Sequence, residues 1–128
     1  MGVAKSDTRP LYDGLRVTPE EYLELEEDGF KYDMIDGVLH FVPSGTPDHG
    51  RAQFTFAYFV MDYLRRNPVG RLSGETDIYL PDGGDIIRPD VTVVLNANLS
   101  IVQRKIIRGV PNLVCEVLSD RTAKRDVT

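Results

Sequence analysis

The apolar positions in the first third of the chain predict a short helix followed by a β-hairpin. The helix begins in "TPEEYLELEED", where Thr18 is a natural N-cap, Pro19 fits the first helical position and Glu21 completes a capping box. Gly29 is expected to end the helix, because glycine is favoured just past helical C-termini. In "FKYDMIDGVLHFV", two apolar-rich arms flank an Asp-Gly pair, which favours a two-residue hairpin turn. Asp36 is therefore assigned to the turn.

A longer helix is predicted from about Asp48 to about Arg66, because apolar residues recur there at helical spacing. They form two stripes, with Ala52, Phe56, Phe59, Val60, Tyr63 and Leu64 on one face and Phe54, Tyr58 and Met61 on another. A helix that is apolar on two faces is usually buried on both. We expect one face to pack on the sheet and the other under the hairpin or against a partner subunit, which predicts a homo-oligomer.

Three further strands are predicted beyond the long helix. Residues 71–80 and 86–95 form two of them, joined by the glycine-rich turn "PDGGD" as a second hairpin. "NANLSIVQRKIIRG" is a connection, with a short helical turn as one option. "PNLVCEVLS" is a third, apolar strand, and "DRTAKRDVT" begins a helix capped by Ser119 or Asp120. This order of elements predicts an α+β, or mixed α/β, domain.

The composition fits one globular domain. The chain has 128 residues, 41% of them hydrophobic, and no apolar run approaches the roughly 20 residues that span a bilayer. Residues 1–16 are interpreted as a lead-in and residues 17–128 as the domain. A single cysteine, Cys115, excludes an internal disulfide and favours a cytoplasmic location. The formal net charge of −5 argues against a non-specific nucleic-acid coat, but not against a nuclease with an acidic metal site.

Two of the apolar strands each carry one isolated carboxylate. Side chains alternate between the two faces of a strand, so Asp90 shares a face with Thr92, and Glu116 shares a face with Val114. If the strands pair with these positions level, the two carboxylates approach and repel each other. A hard divalent cation such as Mg²⁺ would relieve the repulsion, since it prefers oxygen ligands. The alternative, which the pattern alone favours, is that each acid is hydrated at a strand end and unrelated to the other.

Several segments, in order along the chain, resemble one group of nucleases. "RPDVTVV" followed by "PNLVCEVLSD" resembles the PD-(D/E)xK nuclease superfamily, in which a Pro-Asp pair opens one strand and an acid with a lysine two positions on lies in the next. The segments "TPEEYLELEEDGFKYDMIDG", "PDGGDIIRPD" and "GVPNLVCEVLSDRTAKRD" extend the likeness to the Uma-type restriction endonuclease family over residues 17–128. The resemblance implies a restriction-endonuclease-like core.

The resemblance also implies site residues. Asp90 and Glu116 match the metal-binding acids of the family, and Asp33, in "KYDMIDG", matches a position that is usually acidic and is assigned as an auxiliary acid. His49 matches a histidine that is frequent at the start of the long helix. A role near the site and an ordinary polar position at a helix end are equally open for His49. Cys115 is interpreted as a small core hydrophobe.

The third motif position departs from the superfamily pattern, because it holds Leu118 instead of lysine. In the Uma-type family the lysine typically comes from the helix after this strand, a few residues beyond "KRD". Lys124 lies on that incipient helix and is the substitute in this chain. The resemblance therefore implies a domain that is incomplete at its C-terminus, without the following helix and closing strand, and catalytically poor in this form.

The function implied is that of a Mg²⁺- or Mn²⁺-dependent DNA endonuclease. Asp90 and Glu116, with a carbonyl in the region of Cys115 or Val117, would hold one or two cations, and a lysine would position or deprotonate the attacking water. A second class of function stays open, namely a non-catalytic interaction or dimerisation module that keeps the fold and has lost the lysine. Metal-dependent nicking of plasmid DNA separates the two classes.

Overall fold

A computed structural model describes residues 9–118. The helices are α1 (Pro19–Glu24), α2 (Pro47–Arg66) and a 3₁₀ helix (Asn96–Ile101). The strands are β1 (Lys31–Ile35), β2 (Val38–Val42), β3 (Gly70–Ser73), β4 (Ile78–Tyr79), β5 (Ile86–Ile87), β6 (Val91–Leu95), β7 (Ile107–Arg108) and β8 (Leu113–Cys115). The strands form a five-stranded sheet of order β2-β1-β5-β4-β7 and a three-stranded sheet of order β3-β6-β8. The domain is thus α+β, as predicted. The predicted helix cap at residues 119–120, and Lys124, lie outside the described residues.

The start of α1 follows the local sequence rules. The Thr18 hydroxyl accepts a hydrogen bond from the Glu21 amide at 3.1 Å, and the Glu21 carboxylate accepts one from the Thr18 amide at 2.8 Å. The predicted C-terminus of this helix was wrong, because α1 ends at Glu24 and the backbone is extended at Leu25, before Gly29. Gly29 instead has a φ of +86° in the loop before β1. The helix buries Tyr22 against the β1–β2 hairpin, which fixes that hairpin in place.

The first hairpin is confirmed. Strands β1 and β2 pair antiparallel, with Ile35 opposite Val38. Asp36 and Gly37 have φ values of 51° and 79°, and two consecutive left-handed residues make the type I′ turn that suits the twist of the strands. Tyr32 and Met34 point from β1 into a core with Leu39 and Ile86. The other face of β1 is therefore available for polar side chains.

The span predicted for the long helix is confirmed, but the hairpin does not cover its second face, and the alternative cover, a partner subunit, stays a prediction. Leu64 is the buried side chain of α2. Phe54 is 76% exposed, and Tyr58 and Phe59 are each 64% exposed. Helical spacing identifies which residues share a face, but it does not say what covers that face. Within residues 9–118, no element covers the outer face of α2.

The second hairpin is present, but neither of its strands is continuous. β4 pairs with β5 in the larger sheet, and β3 pairs with β6 in the smaller one, so both arms pass from one sheet to the other. The arms are interrupted at residues 74–77 and 88–90. Pro89, which cannot donate to a sheet ladder, lies in the second interruption. Strand β7, which was not predicted, pairs parallel with β4 and buries Ile107.

No helix among residues 9–118 is long and apolar enough to cross a membrane.

Candidate active site

Asp90 directly precedes β6 and Glu116 directly follows β8, the neighbouring strand. In the antiparallel pair of β6 and β8, Val91 is opposite Cys115 and Thr92 is opposite Val114. One further step along this register places Asp90 opposite Glu116, just past the ends of the ladder. Cross-strand partners project from the same face. The expected approach of the two acids required strands that pair with Asp90 and Glu116 level, and β6 and β8 have this register.

The Asp90 side chain is buried and accepts hydrogen bonds mainly through one of its oxygens. The residue is 2% exposed. Its Oδ2 accepts from the Val117 amide at 2.8 Å and lies 3.1 Å from His49 Nε2. Its Oδ1 lies 3.5 Å from Lys31 Nζ, a looser ionic contact. A buried carboxylate needs such partners to remain charged, and here they come from three different parts of the chain.

The start of α2 supplies His49. Thr46 caps the helix by accepting from the His49 amide at 3.2 Å, which sets the first turn over the acid. Gly45 allows the ring to sit there, because a Cβ at this position would come within 2.5 Å of His49 Cγ. One turn further on, the Gln53 amide donates to the backbone carbonyl of Asp90 at 3.3 Å. The role near the site that was left open for His49 is therefore the one its geometry supports.

Strand β1 contributes Lys31 and Asp33. These residues alternate with buried Tyr32 and Met34, so both face away from the core. Asp33 Oδ1 accepts from the Arg88 amide at 3.1 Å, across the second strand interruption. Asp33 thereby ties β1 to the segment that leads into Asp90.

One cavity of about 590 Å³ is lined by both acids and by the residues around them, namely Lys31, Asp33, Gly45, Thr46, His49, Gln53, Asp90, Glu116 and Val117. Asp33, Glu75, Asp90 and Glu116 supply its carboxylates, and Lys31 and His49 face it as well. Leu118, which stands where the superfamily has lysine, lines the cavity and is 58% exposed. The cavity is large enough to admit a phosphodiester group.

The oxygen donors fit a cation that keeps part of its own hydration. Among residues 9–118, no three His, Cys, Asp or Glu side chains are grouped so that they alone could hold a metal ion. Mg²⁺ is usually bound by one or two carboxylates together with waters and substrate phosphates. Asp90 and Glu116 are such a pair of carboxylates, whereas a Ca²⁺ cage or a zinc site would need more ligands from the protein.

Cys115, the last residue of β8, is half-buried. Burial raises the pKa of its thiol, and the negative charges of Asp90 and Glu116 raise it further. The thiol is therefore protonated and a poor nucleophile at neutral pH. Its interpretation as a small core hydrophobe stays a prediction.

A second polar network holds the larger sheet on the side of α1. Arg88 Nε donates to Asp77 at 3.0 Å, and the Tyr22 hydroxyl donates to the same carboxylate at 3.2 Å. Burial raises the pKa of Tyr22 to about 12, helped by the Asp77 charge. The network fixes the segment that ends in Pro89 and Asp90.

The structure brings together four residues singled out from the sequence, namely Asp33, His49, Asp90 and Glu116. Asp36 is in the turn, as assigned. Lys31 was missed, although it shares a strand face with Asp33, two positions away. That spacing was the available signal. A charged residue at the start of a strand is usually a solvated one, which is why Lys31 did not stand out.

The fold and the paired acids define a restriction-endonuclease-like domain. A solved structure described as a "putative nuclease belonging to DUF820", from Anabaena variabilis, is similar to this chain with a TM-score of 0.66 and 17% sequence identity. The match covers 87% of this chain and 65% of that one, so the chain spans a little less than two thirds of that protein's length. No curated protein matches the chain.

The sequence model of the Uma2 family, described as "Putative restriction endonuclease", matches residues 19–128. The chain belongs to this family, as the motifs around Asp90 and Glu116 predicted.

Proposed function

We propose that this domain is a divalent-metal-dependent DNA endonuclease. The observation that carries the proposal is the placement of Asp90 and Glu116 side by side on one wall of an open cavity. DNA is the proposed substrate because restriction endonucleases act on DNA, and the family is described by that activity. The proposed location is the cytoplasm.

Asp90 and Glu116 are the proposed ligands of Mg²⁺ or Mn²⁺. Because Oδ2 of Asp90 is engaged by the Val117 amide and His49, Oδ1 is the oxygen proposed to meet the cation. The backbone carbonyl near Val117 is a further candidate ligand. When bound, the cation neutralises phosphate charge and makes a coordinated water more acidic.

The residues of the chain would divide the rest of the work. In the proposed reaction a water oxygen bonds to phosphorus, the P–O bond to the leaving oxygen breaks, the water proton goes to solvent or to a nearby base, and the leaving oxygen takes up a proton from solvent. His49 and the Val117 amide hold the Asp90 carboxylate in one orientation. Asp33 stays an auxiliary acid, and Lys124 stays a candidate lysine on the segment after residue 118.

Nicking of supercoiled plasmid tests this function. We expect cleavage with Mg²⁺ that stops in a chelator and falls by at least about 10²-fold in Asp90→Asn, since losing the cation removes its electrostatic stabilisation. Asp36→Asn is the matched control, because the same chemical change occurs at an exposed turn residue that tolerates asparagine. Cleavage that persists in a chelator, or in Asp90→Asn, would contradict the proposal.

A second candidate function is a non-catalytic dimerisation module. The observation that favours it is the exposed apolar face of α2, where Phe54, Tyr58 and Phe59 are each more than half exposed. We propose that a second copy of the chain covers this face. Light scattering should then give a dimer that Phe54→Ser weakens, and a monomer at high concentration would count against it. A dimer that neither binds metal nor nicks DNA would favour this module over the nuclease.

A further inference from the structure

Lys31 occupies a distinctive place in the cavity. Its Nζ lies 3.5 Å from Asp90 Oδ1, and its side chain is 17% exposed, so it reaches both the buried acid and the open space. Among the described residues that line the cavity, it is the one lysine or arginine. The cavity otherwise presents carboxylates and a histidine, which would repel or only weakly attract a phosphate.

The backbone of Lys31 is fixed by its neighbours in β1 and by strand pairing. It begins β1, whose next residue, Tyr32, is buried in the core and donates from its hydroxyl to Asp28 at 2.6 Å. The β1 backbone is also paired with β2 along its whole length. A lysine on a fixed backbone, with a flexible stem and three donors, can turn between two nearby acceptors without moving the strand.

We propose that Lys31 changes partner when substrate binds, moving from Asp90 Oδ1 to a phosphate oxygen of the DNA. This inference rests on the proposed function and deepens it, by assigning the cavity's cationic residue to the hairpin and not to the position of Leu118. The divalent cation and Lys31 compete for Asp90 Oδ1. A divalent cation held by Asp90 and Glu116 would take the place of the Lys31 ammonium group at Asp90 Oδ1, and Lys31 would then donate to a phosphate oxygen and stabilise its negative charge.

The competition gives Lys31 a signature that a merely structural ion pair would not have. Removing its charge should strengthen divalent-cation binding and weaken catalysis at the same time. Lys31→Gln keeps a polar group near Asp90 and loses the charge. We expect its Mn²⁺ affinity to rise about tenfold, because a nearby repelling charge is gone, and its Mg²⁺-dependent nicking to fall about 10²-fold.

Lys105→Gln is the matched control, since it removes the same charge from the other described lysine, which is exposed and lies outside this cavity. It should change neither quantity. Lys31→Arg should keep most of the nicking. If Lys31→Gln weakens Mn²⁺ binding, or nicks DNA like Lys105→Gln, the proposal is overturned while the proposed function stands.

If the protein does not nick DNA, the proposed nuclease function is overturned. The change of partner by Lys31 is then tested by DNA binding alone. Duplex affinity is measured by fluorescence anisotropy against salt, in saturating Mn²⁺, because the cation is what releases Lys31 from Asp90. Each phosphate contact contributes about 0.9 to the slope of log affinity against log salt. Lys31→Gln should reduce the slope by about 0.9 relative to Lys105→Gln, and equal slopes would overturn the proposal.

A footprint on the unmutated protein covers the case in which Lys31→Gln fails to fold. Lysines are acetylated briefly with and without duplex DNA, and the products are read by mass spectrometry. DNA should protect Lys31 more strongly than Lys105. Equal modification of Lys31 with and without DNA would overturn the proposal.

Discussion

Replacing Asp90 by asparagine should cost a measurable part of the domain's stability without unfolding it. The substitution keeps the shape of the side chain and removes its charge. The amide can still accept from the Val117 amide, now 2.8 Å from Oδ2, but its NH₂ group must then face Lys31, which has no acceptor. Asparagine therefore cannot replace the contact between Asp90 Oδ1 and Lys31 Nζ, and the ammonium group of Lys31 loses its counter-charge.

The size of the effect follows from the contacts. Two unit charges about 4 Å apart attract by about 4 kcal/mol at an effective dielectric constant near 20. Desolvation offsets much of this attraction, and hydrogen bonds to charged groups contribute about 1.5–3 kcal/mol net. Lys31 is 17% exposed, so solvent relieves part of the loss. We expect Asp90→Asn to lower the free energy of unfolding by about 2 kcal/mol, which leaves a domain of ordinary stability folded.

Urea unfolding in a chelator measures this effect without any metal contribution. A double-mutant cycle with Lys31→Gln should give a coupling energy of about 1–2 kcal/mol, because each partner's loss already removes the ion pair. Asp36→Asn, in the exposed turn, should change stability by less than about 0.5 kcal/mol. Strictly additive effects of Asp90→Asn and Lys31→Gln would refute the ion pair as a source of stability.

Three further predictions follow from single contacts. Gly45→Ala should reduce Mg²⁺-dependent nicking about tenfold at nearly unchanged stability. The added Cβ would lie 2.5 Å from His49 Cγ and would therefore displace the ring. Full nicking activity in Gly45→Ala would show that the position of the His49 ring is unimportant. Tyr22 keeps its proton to about pH 12 in the folded state and loses it near pH 10 when unfolded, so stability should fall by roughly 2–3 kcal/mol between those values. Tyr22→Phe should make that fall shallower in unfolding curves, and an unchanged slope would exclude the Tyr22 contribution. Thr92→Val should stabilise the domain by about 1 kcal/mol, because the buried Thr92 hydroxyl has no hydrogen-bond partner among residues 9–118. A lower free energy of unfolding in urea for Thr92→Val would contradict this.

Features set by neighbouring residues could be predicted from the sequence. The capping box of Thr18 and Glu21 and the turn at Asp36 depend on interactions within a few positions, and both formed as expected. The juxtaposition of Asp90 and Glu116 needed one further assumption, that their strands pair in register, and the family likeness supported it.

Features set by distant packing could not be predicted in the same way. The two arms of the second hairpin read as continuous strands, but each is divided because it serves two sheets. Pro89 predicts a break in one arm, but it does not indicate that the chain passes there to another sheet. Strand β7 has two residues and pairs with a strand almost 30 positions earlier, which no periodicity reveals. Lys31 belongs to the same class, since its importance comes from Asp90, 59 positions away.

Binding of Mn²⁺ to Glu116→Gln, followed by calorimetry, tests the central claim most directly. Glu116 is exposed, so its substitution should leave the fold intact, and Glu24→Gln on the exposed side of α1 is the matched control. We expect the parent and Glu24→Gln to bind Mn²⁺ alike and Glu116→Gln to bind it at least about tenfold more weakly, since one of two carboxylate ligands becomes neutral. Equal Mn²⁺ affinity in Glu116→Gln and the parent, or no binding by the parent, would contradict the claim that Asp90 and Glu116 form a metal site.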